Sequence, residues 1–340
     1  MKIPVRRACY EADTAELIEV LQVHLPYLPH DRIFEWLYRK NPFGEALVWV
    51  AVEPAGKRMI GVAAAFPRLM YNHGVEMPGY VLGDFCIDPA HRSLGLAVSL
   101  QRACLDEIAA RDAFGFDFPS RSMLSVYQRL RIEANASMVR YAKPLRADRK
   151  VAQRVTVPFV AAGITTVANA ALRLRERNVK RNAGLKIATE PGPWGEEFSR
   201  VAREWSPRMG VCVARTQEYL NWRYREHPLR EYRMIVARRE DLLRGYLVYH
   251  VHGEDCTIDD LLSVDNEISS ALLGEAAAVA RECRAQTLNS PWVTTHPGKD
   301  LLESCGFRRR ESTPLVLMEF QQGAARVESD WFLTDGDRES

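Results

Sequence analysis

Paired cysteines are missing from this sequence. Its seven cysteines (Cys9, Cys86, Cys104, Cys212, Cys256, Cys283 and Cys305) are scattered, odd in number and include no Cys-x-x-Cys pair. That fits reduced cytosolic thiols better than a disulfide or zinc framework, and no metal site is expected. An excess of one charge is missing too. Lys and Arg number 46 against 44 Asp and Glu, a net charge of +2, so a polyanionic partner would need a local patch, and no nucleic acid is expected as a partner. The N-terminus "MKIPVRRACYEAD" has no apolar signal core, which points to a cytoplasmic protein. Long apolar runs are absent but for "VTVPFVAAGITTVANAAL", residues 155–172, set between the basic stretches "RADRK" and "RLRERNVKR". This run is barely as long as the roughly 20 residues a membrane span needs. It is rich in Ala, Thr and Gly and holds Pro158 and Asn169, which are poor residues for lipid insertion. A linker helix packed on the protein is the preferred reading, ahead of attachment to an anionic lipid surface.

What is present is enough for two ordinary domains. The chain has 340 residues, 47% hydrophobic and 26% charged, so each half can bury a core. The halves also repeat. "FEWLYRKNPFG" and "LNWRYREHPLR" share Trp-x-Tyr-Arg-x-x-Pro, at Trp36, Tyr38, Arg39, Pro42 and at Trp222, Tyr224, Arg225, Pro228. A hairpin follows each, in "ALVWVAVEPAGKRMIGVAAAFP" and "YRMIVARREDLLRGYLVYHV". Then come a further strand, a long helix, another strand, a short helix and a closing strand pair. A repeat of over a hundred residues means two copies of one domain, not a solenoid. The repeated Trp and Tyr are expected to pack the fold.

The stretch "FCIDPAHRSLGLAVSLQRACLDEIAAR", residues 85–111, holds the strongest chemical signal. A strand ends in a basic, glycine-bearing turn that opens a helix. The first amides of a helix have no internal partner and carry a partial positive charge. Glycine allows an anion close to the backbone, and an arginine adds a fixed cation. The turn therefore reads as a pyrophosphate cradle.

The spacing Arg92-x-x-Gly95-x-Ala97 after "IDP" resembles the acyl-CoA loop of the GCN5-related N-acetyltransferase (GNAT) superfamily, at every fixed position. With the element order, it makes the chain similar to tandem GNAT proteins over most of its length. A weaker likeness ties it to the tandem acetyltransferases of polysaccharide and envelope gene clusters. The resemblance implies an α/β (α+β) fold of two GNAT-like domains, each with a mixed twisted sheet flanked by helices. It implies an N-acyltransferase that passes acetyl or another acyl group from CoA directly to an amine. A small molecule or amino sugar is the expected acceptor. Phe85, Cys86, Ile87, Arg92, Ser93, Leu94, Gly95, Leu96 and Ala97 are the implied CoA contacts. The backbone of Cys86 and Ile87 would meet the pantetheine. Asp84 falls where many relatives carry a base, with a loop-orienting carboxylate as the other reading. Tyr127 in "SVYQRLRI" falls near the place of the usual acid, although Arg131 and Ile132 stand where relatives have Gly-Phe. A half-buried packing aromatic is the other reading there.

The second copy reads "NEISSAL" where the first reads "HRSLGLA". It loses the basic residue and the glycine and gains Glu267, so one CoA per chain is expected. Weaker candidates are His24 and His30, flanking "LPYLP" in the region that lines the acceptor cleft of such proteins, and the tail acids Asp335 and Asp337 as partners of a cationic amine. His250 and His252 read as a polar strand face. The expected organisation is a GNAT domain over 1–148, a basic-flanked linker helix over 149–190, a degenerate copy over 191–322 and an acidic tail over 323–340. A homodimer stays open. The other functions weighed are an aminoacyl-tRNA-dependent transferase of the peptidoglycan type, which takes no CoA, and a non-catalytic acyl-CoA-binding or scaffold module.

Overall fold

The computed structural model describes residues 3–54, 58–148, 151, 158–174, 184–320 and 330–339. Its strands join into one twisted mixed sheet. The first half supplies β1 (Val5–Arg7), β2 (Leu47–Val52), β3 (Met59–Asn72), β4 (Val75–Ile87), β5 (Phe114–Asp117) and β6 (Ala136–Pro144). The second supplies β7 (Leu185–Thr189), β8 (Val211–Val213), β9 (Arg233–Arg239), β10 (Leu242–His252), β11 (Asp255–Ser263), β12 (Thr287–Val293) and β13 (Arg308–Glu319), and the tail adds β14 (Trp331–Phe332). The main path runs β1-β2-β3-β4-β5-β13-β6-β12-β11-β10-β9-β7.

That order means that the halves exchange their closing strands. β13 of the second half runs antiparallel beside β5, and β6 of the first half runs antiparallel beside β12. The two exchanged strands also pair with each other. The sheet therefore crosses the boundaries expected at 148 and 191, and neither sheet closes without a strand from the other half.

The repeated motif sits at the junction. Both copies adopt a π-helical turn, Glu35–Arg39 and Asn221–Arg225. Trp36 and Trp222 stack at 4.8 Å. Each indole Nε1 donates to the other tryptophan's carbonyl, at 2.9 and 3.0 Å. Such a pair adds about 1 kcal/mol beyond its burial, and it places a pseudo-twofold axis between the halves.

The helices that matter for the site are α1 (Tyr10–His24), α2 (His30–Phe34), α3 (Leu94–Ala109) and α4 (Arg121–Arg129). α3 buries Leu96, Ala97, Leu100, Cys104, Leu105 and Ile108, one apolar stripe at helical spacing that packs on the sheet. α5 (Pro158–Leu174) departs from the packed linker expected there. Most of its described side chains face solvent, with Phe159 92% and Val167 71% exposed. Asn169 ties it to the chain, accepting from the Ala147 amide at 2.8 Å and donating to Asp148 at 3.2 Å. Among the described residues, no helix is long and apolar enough to cross a membrane. The second half adds α6 (Glu196–Trp205), α7 (Gln217–Leu220), α8 (Asn266–Glu282) and α9 (Lys299–Ser304).

Candidate active site

β4 and β5 pair in parallel from Gly79 opposite Phe114 to Leu82 opposite Asp117. There the ladder stops, while β4 continues to Ile87. Beyond that point the main chain of β4 is left without a neighbour on the β5 side. β4 is also bulged against β3. Val62 faces Cys86 and Ala64 faces Gly83, so Asp84 and Phe85 together oppose Ala63. Asp84 takes the left-handed φ of 45°, a conformation that costs a non-glycine residue about 1 kcal/mol or more and gathers at functional sites. The bulge turns Asp84 onto one face of the sheet and Phe85 onto the other.

The parted strands open into a cleft of about 420 Å³ lined by His24, Phe85–Ile87, Arg92–Leu94, Ala97, Ser120, Met123 and their neighbours, within the range of small-ligand sites. At its end α3 begins. Ser93 caps it, its Oγ accepting from the Leu96 amide at 3.3 Å. Arg92, Ser93, Leu94 and Gly95 are all exposed, and Arg92 pairs with no carboxylate among the described residues. A Cβ on Gly95 would meet nothing within 4 Å. Packing therefore does not require glycine there. A side chain there would meet only solvent, and Ser93 caps the Leu96 amide while leaving the first two amides of the helix without a cap. Leu96 and Ala97 are buried into the core beneath.

In the second copy Asp265 caps α8, accepting from Ile268 at 2.8 Å. Counting from the caps, Glu267 stands where Gly95 stands, three positions from the Arg92 place that the aligned sequences gave it, and it pairs with Arg239 at 2.8 Å. Two carboxylates at this turn repel an anion.

The face that carries Asp84 is rich in buried acid. The Tyr38 hydroxyl donates to Asp84 Oδ2 at 2.6 Å, and His30 Nδ1 lies 3.9 Å from the same oxygen. Burial pushes the Asp84 carboxyl up, while the Tyr38 hydrogen bond and His30 oppose it. His30 is fully buried, with its Nε2 on the Leu25 carbonyl at 3.1 Å. It does not touch an acceptor, as the sequence had suggested, but backs Asp84. His24 does line the cleft. Tyr27 is 68% exposed, and its hydroxyl is held above its usual range by partial burial first and then by the charges of Asp84 and of Glu339 in the tail.

The tail completes this face. Trp331–Phe332 pairs with β8, and Thr334 bridges to Trp292. Asp337 is buried, at 2.7 Å from Arg215, which also pairs with Asp260 at 3.3 Å. Asp335 pairs with Arg338 at 2.9 Å and borders a separate opening of the second half beside His250 and His252. Neither acid lies in the cleft, which corrects their expected role with an amine. Asp337 locks the tail to the second half. His250 is held by Asp259 at 2.7 Å, and no metal-binding group occurs among the described residues.

Two residues further on, Glu339 reaches the first half. A Cβ on Gly83 would lie 2.8 Å from its Cγ, so glycine at 83 makes room for it. Its Oε2 is sealed from water with no hydrogen-bond partner. Burial pushes its carboxyl up, Arg338 and Arg223 pull it down, and Asp84 pushes it up again. Arg338 stacks on Phe118 at 4.3 Å, and its carbonyl accepts from buried Arg68 at 3.4 Å.

On the other face of the parting strands, Tyr127 is fully buried. Its hydroxyl donates to Asp117 Oδ2 at 2.6 Å and accepts from Gln101 Nε2 at 3.2 Å. Burial holds the Tyr127 hydroxyl well above its usual range, and the Asp117 charge adds to this. Burial also pushes the Asp117 carboxyl up to about 7, against the pull of the Tyr127 hydrogen bond. Tyr127 thus stands behind the cleft wall formed by Met123 and Val126, paired to the residue where β5 leaves β4. Cys86 is buried, its thiol pushed up to about 12 by burial and the Asp84 charge, so it is no nucleophile. The sequence reading missed Glu339, Asp117 and Tyr27. The only signal was their place: two residues past the tail turn, at the end of the fifth strand, and at the centre of "LPYLP".

No family model matches the sequence, and no curated protein does. Solved structures do. A conserved protein of Enterococcus faecalis, described as a probable N-acyltransferase, superposes with a TM-score of 0.67 at 13% identity, over 94% of this chain and 73% of that one. A GCN5-related N-acetyltransferase from Anabaena variabilis gives 0.65 at 13% identity over the same shares. Eis1 from Mycobacterium abscessus gives 0.61 at 16% identity, over 94% of this chain and 74% of that one. The chain is therefore built, through both halves, on the fold of the GCN5-related N-acetyltransferases.

Proposed function

We propose that the protein is a cytoplasmic acyl-CoA-dependent N-acyltransferase that passes an acetyl group to the primary amine of a small molecule or amino sugar. The observation that carries this is the cleft where β4 leaves β5, with an anion-ready helix start at Arg92–Ala97 at its end and ionisable groups on both faces where the strands part. The pyrophosphate of CoA lies against the first turn of α3. The main chain of Phe85–Ile87, without a strand partner on the β5 side, lends hydrogen bonds to the pantetheine arm. The amine attacks the thioester carbonyl; nitrogen gains the acyl group and the sulfur leaves as thiolate. Asp84 adjoins the cleft-lining Phe85 and Glu339 packs against Gly83; neither lines the cleft itself, and together they form the proposed basic side. A carboxyl raised towards neutrality by burial takes a proton from an ammonium group more readily than a solvated one. Tyr127, held by Asp117 and Gln101 behind the Met123–Val126 wall, is the proposed acid, and its return of a proton to sulfur requires that wall to part. The second copy, its turn filled by Asp265 and Glu267, holds the tail that delivers Glu339.

The test is thiol release from acetyl-CoA and longer acyl-CoAs across a panel of amino sugars and small amines. It is followed by Glu339→Gln and Asp84→Asn over a range of pH. Amine-dependent release whose rising pH–rate limb is lost in one of these variants supports the reading. No amine-dependent release with any acyl-CoA refutes it.

A further inference from the structure

α5 has a surface that the acyl-transfer reading does not use. Nine large apolar side chains are exposed on the described residues, and three of them, Phe159, Ile164 and Val167, lie on this one helix. At about 100° per residue they fall within one arc of roughly 140°. The residues whose described side chains are half-buried, Thr165 and Asn169, lie on the opposite arc, where Asn169 bonds to Ala147 and Asp148. The helix is thus tethered by a polar edge and turns an uncharged face outward.

Charge in the sequence gathers at the ends of the same helix. Residues 146–181 carry nine Arg and Lys against Asp148 and Glu176, a net +7, whereas the whole chain is +2 and the remainder therefore −5. The entire basic excess of the protein brackets one exposed apolar helix. Contiguous exposed apolar surface marks an interaction site, and an apolar helix face between basic ends matches an anionic bilayer surface in both its parts. The uncharged run between Arg154 and Arg173 is 18 residues, which as a helix at 1.5 Å each would reach only about 27 Å, short of a bilayer core of about 30 Å, and so suits the surface plane better than a crossing.

We propose that α5 seats the protein on anionic phospholipid membranes, with Phe159, Ile164 and Val167 entering the headgroup–acyl boundary. This reverses the preference for a packed linker helix and stands independently of the acyl-transfer reading.

The test is flotation of the full chain with vesicles of phosphatidylcholine alone and of phosphatidylcholine mixed with phosphatidylglycerol, at low and high salt. Binding is expected to the phosphatidylglycerol vesicles only and to weaken with salt. The double variant Phe159→Ser, Val167→Ser should lose about tenfold or more in vesicle affinity, with the circular dichroism and melting temperature of the parent, because both side chains are exposed. Equal binding to phosphatidylcholine alone overturns the proposal, as does undiminished binding by the double variant. Light scattering that finds a dimer dissolved by the double variant, with no vesicle binding, also overturns it and assigns the face to a second copy of the chain.

Discussion

Asp117→Asn probes the acidic side without disturbing its shape. Asparagine keeps an oxygen to accept the Tyr127 hydroxyl, which stands 2.6 Å from Asp117 Oδ2, but it cannot ionise. The Asp117 carboxyl is pushed from 3.8 up to about 7 in the fold, by burial first and by the Glu339 charge in addition. Between those two values the folded protein keeps a proton that the unfolded chain has released. Stability contributed by this group is therefore full below the unfolded value and falls as pH rises, until it levels off above about pH 7. From pH 5 to pH 8 about two pH units of that span are crossed, so wild type should lose roughly 2–3 kcal/mol through Asp117 alone. The assay is urea denaturation of both proteins at pH 5, 6, 7 and 8. The variant should gain on wild type by that amount across the series, with most of the gain reached by pH 7. A stability difference between the two that does not change with pH would show that Asp117 ionises normally, and would refute the burial-raised carboxyl described for it beside Tyr127.

Two further outcomes test the rest of the site. Tyr127→Phe keeps the buried ring and removes the proton, so turnover should drop about 10²- to 10⁴-fold with CoA affinity nearly unchanged; near-wild-type turnover would reduce Tyr127 to packing, in which case Tyr127→Ala would lower only the melting temperature. Arg215→Ala strands Asp260 and Asp337 without their cation, and should cost about 3–5 kcal/mol at neutral pH, less in acid, where Asp337, its carboxyl pushed up by burial, protonates; denaturation midpoints decide this, and a loss below about 1 kcal/mol would mean that the tail does not depend on the cluster.

Much of the first half was legible because its signals are local. Alternation announced the hairpin of β2 and β3 (Leu47–Val52 and Met59–Asn72), and the basic, glycine-bearing turn that opens α3 announced an anion site on chemistry contained in six residues, Arg92 to Ala97. The exchange of β6 and β13 was not legible, because an alternating strand declares which face is apolar but not which sheet it will join. The tail misled for a related reason. "DWFLTDGDRES" reads as a solvated acidic end, yet the cations that bury it, Arg215 and Arg68, lie 122 residues before Asp337 and 270 before Arg338. Tyr38 shows a different limit. Its recurrence as Tyr224 pointed to packing, and it does pack, on Phe34 and Phe66; its bond to Asp84 depends on a bulge 46 residues away that no period reveals.

Calorimetry with CoA tests the central claim most directly, because binding at the first turn of α3 is the premise of the whole site. The account predicts one CoA per chain and no detectable binding to Gly95→Glu. That variant should fold normally, since a Cβ at 95 meets nothing within 4 Å and only a carboxylate facing the pyrophosphate is added. Two CoA sites per chain, or unchanged affinity in Gly95→Glu, would contradict it.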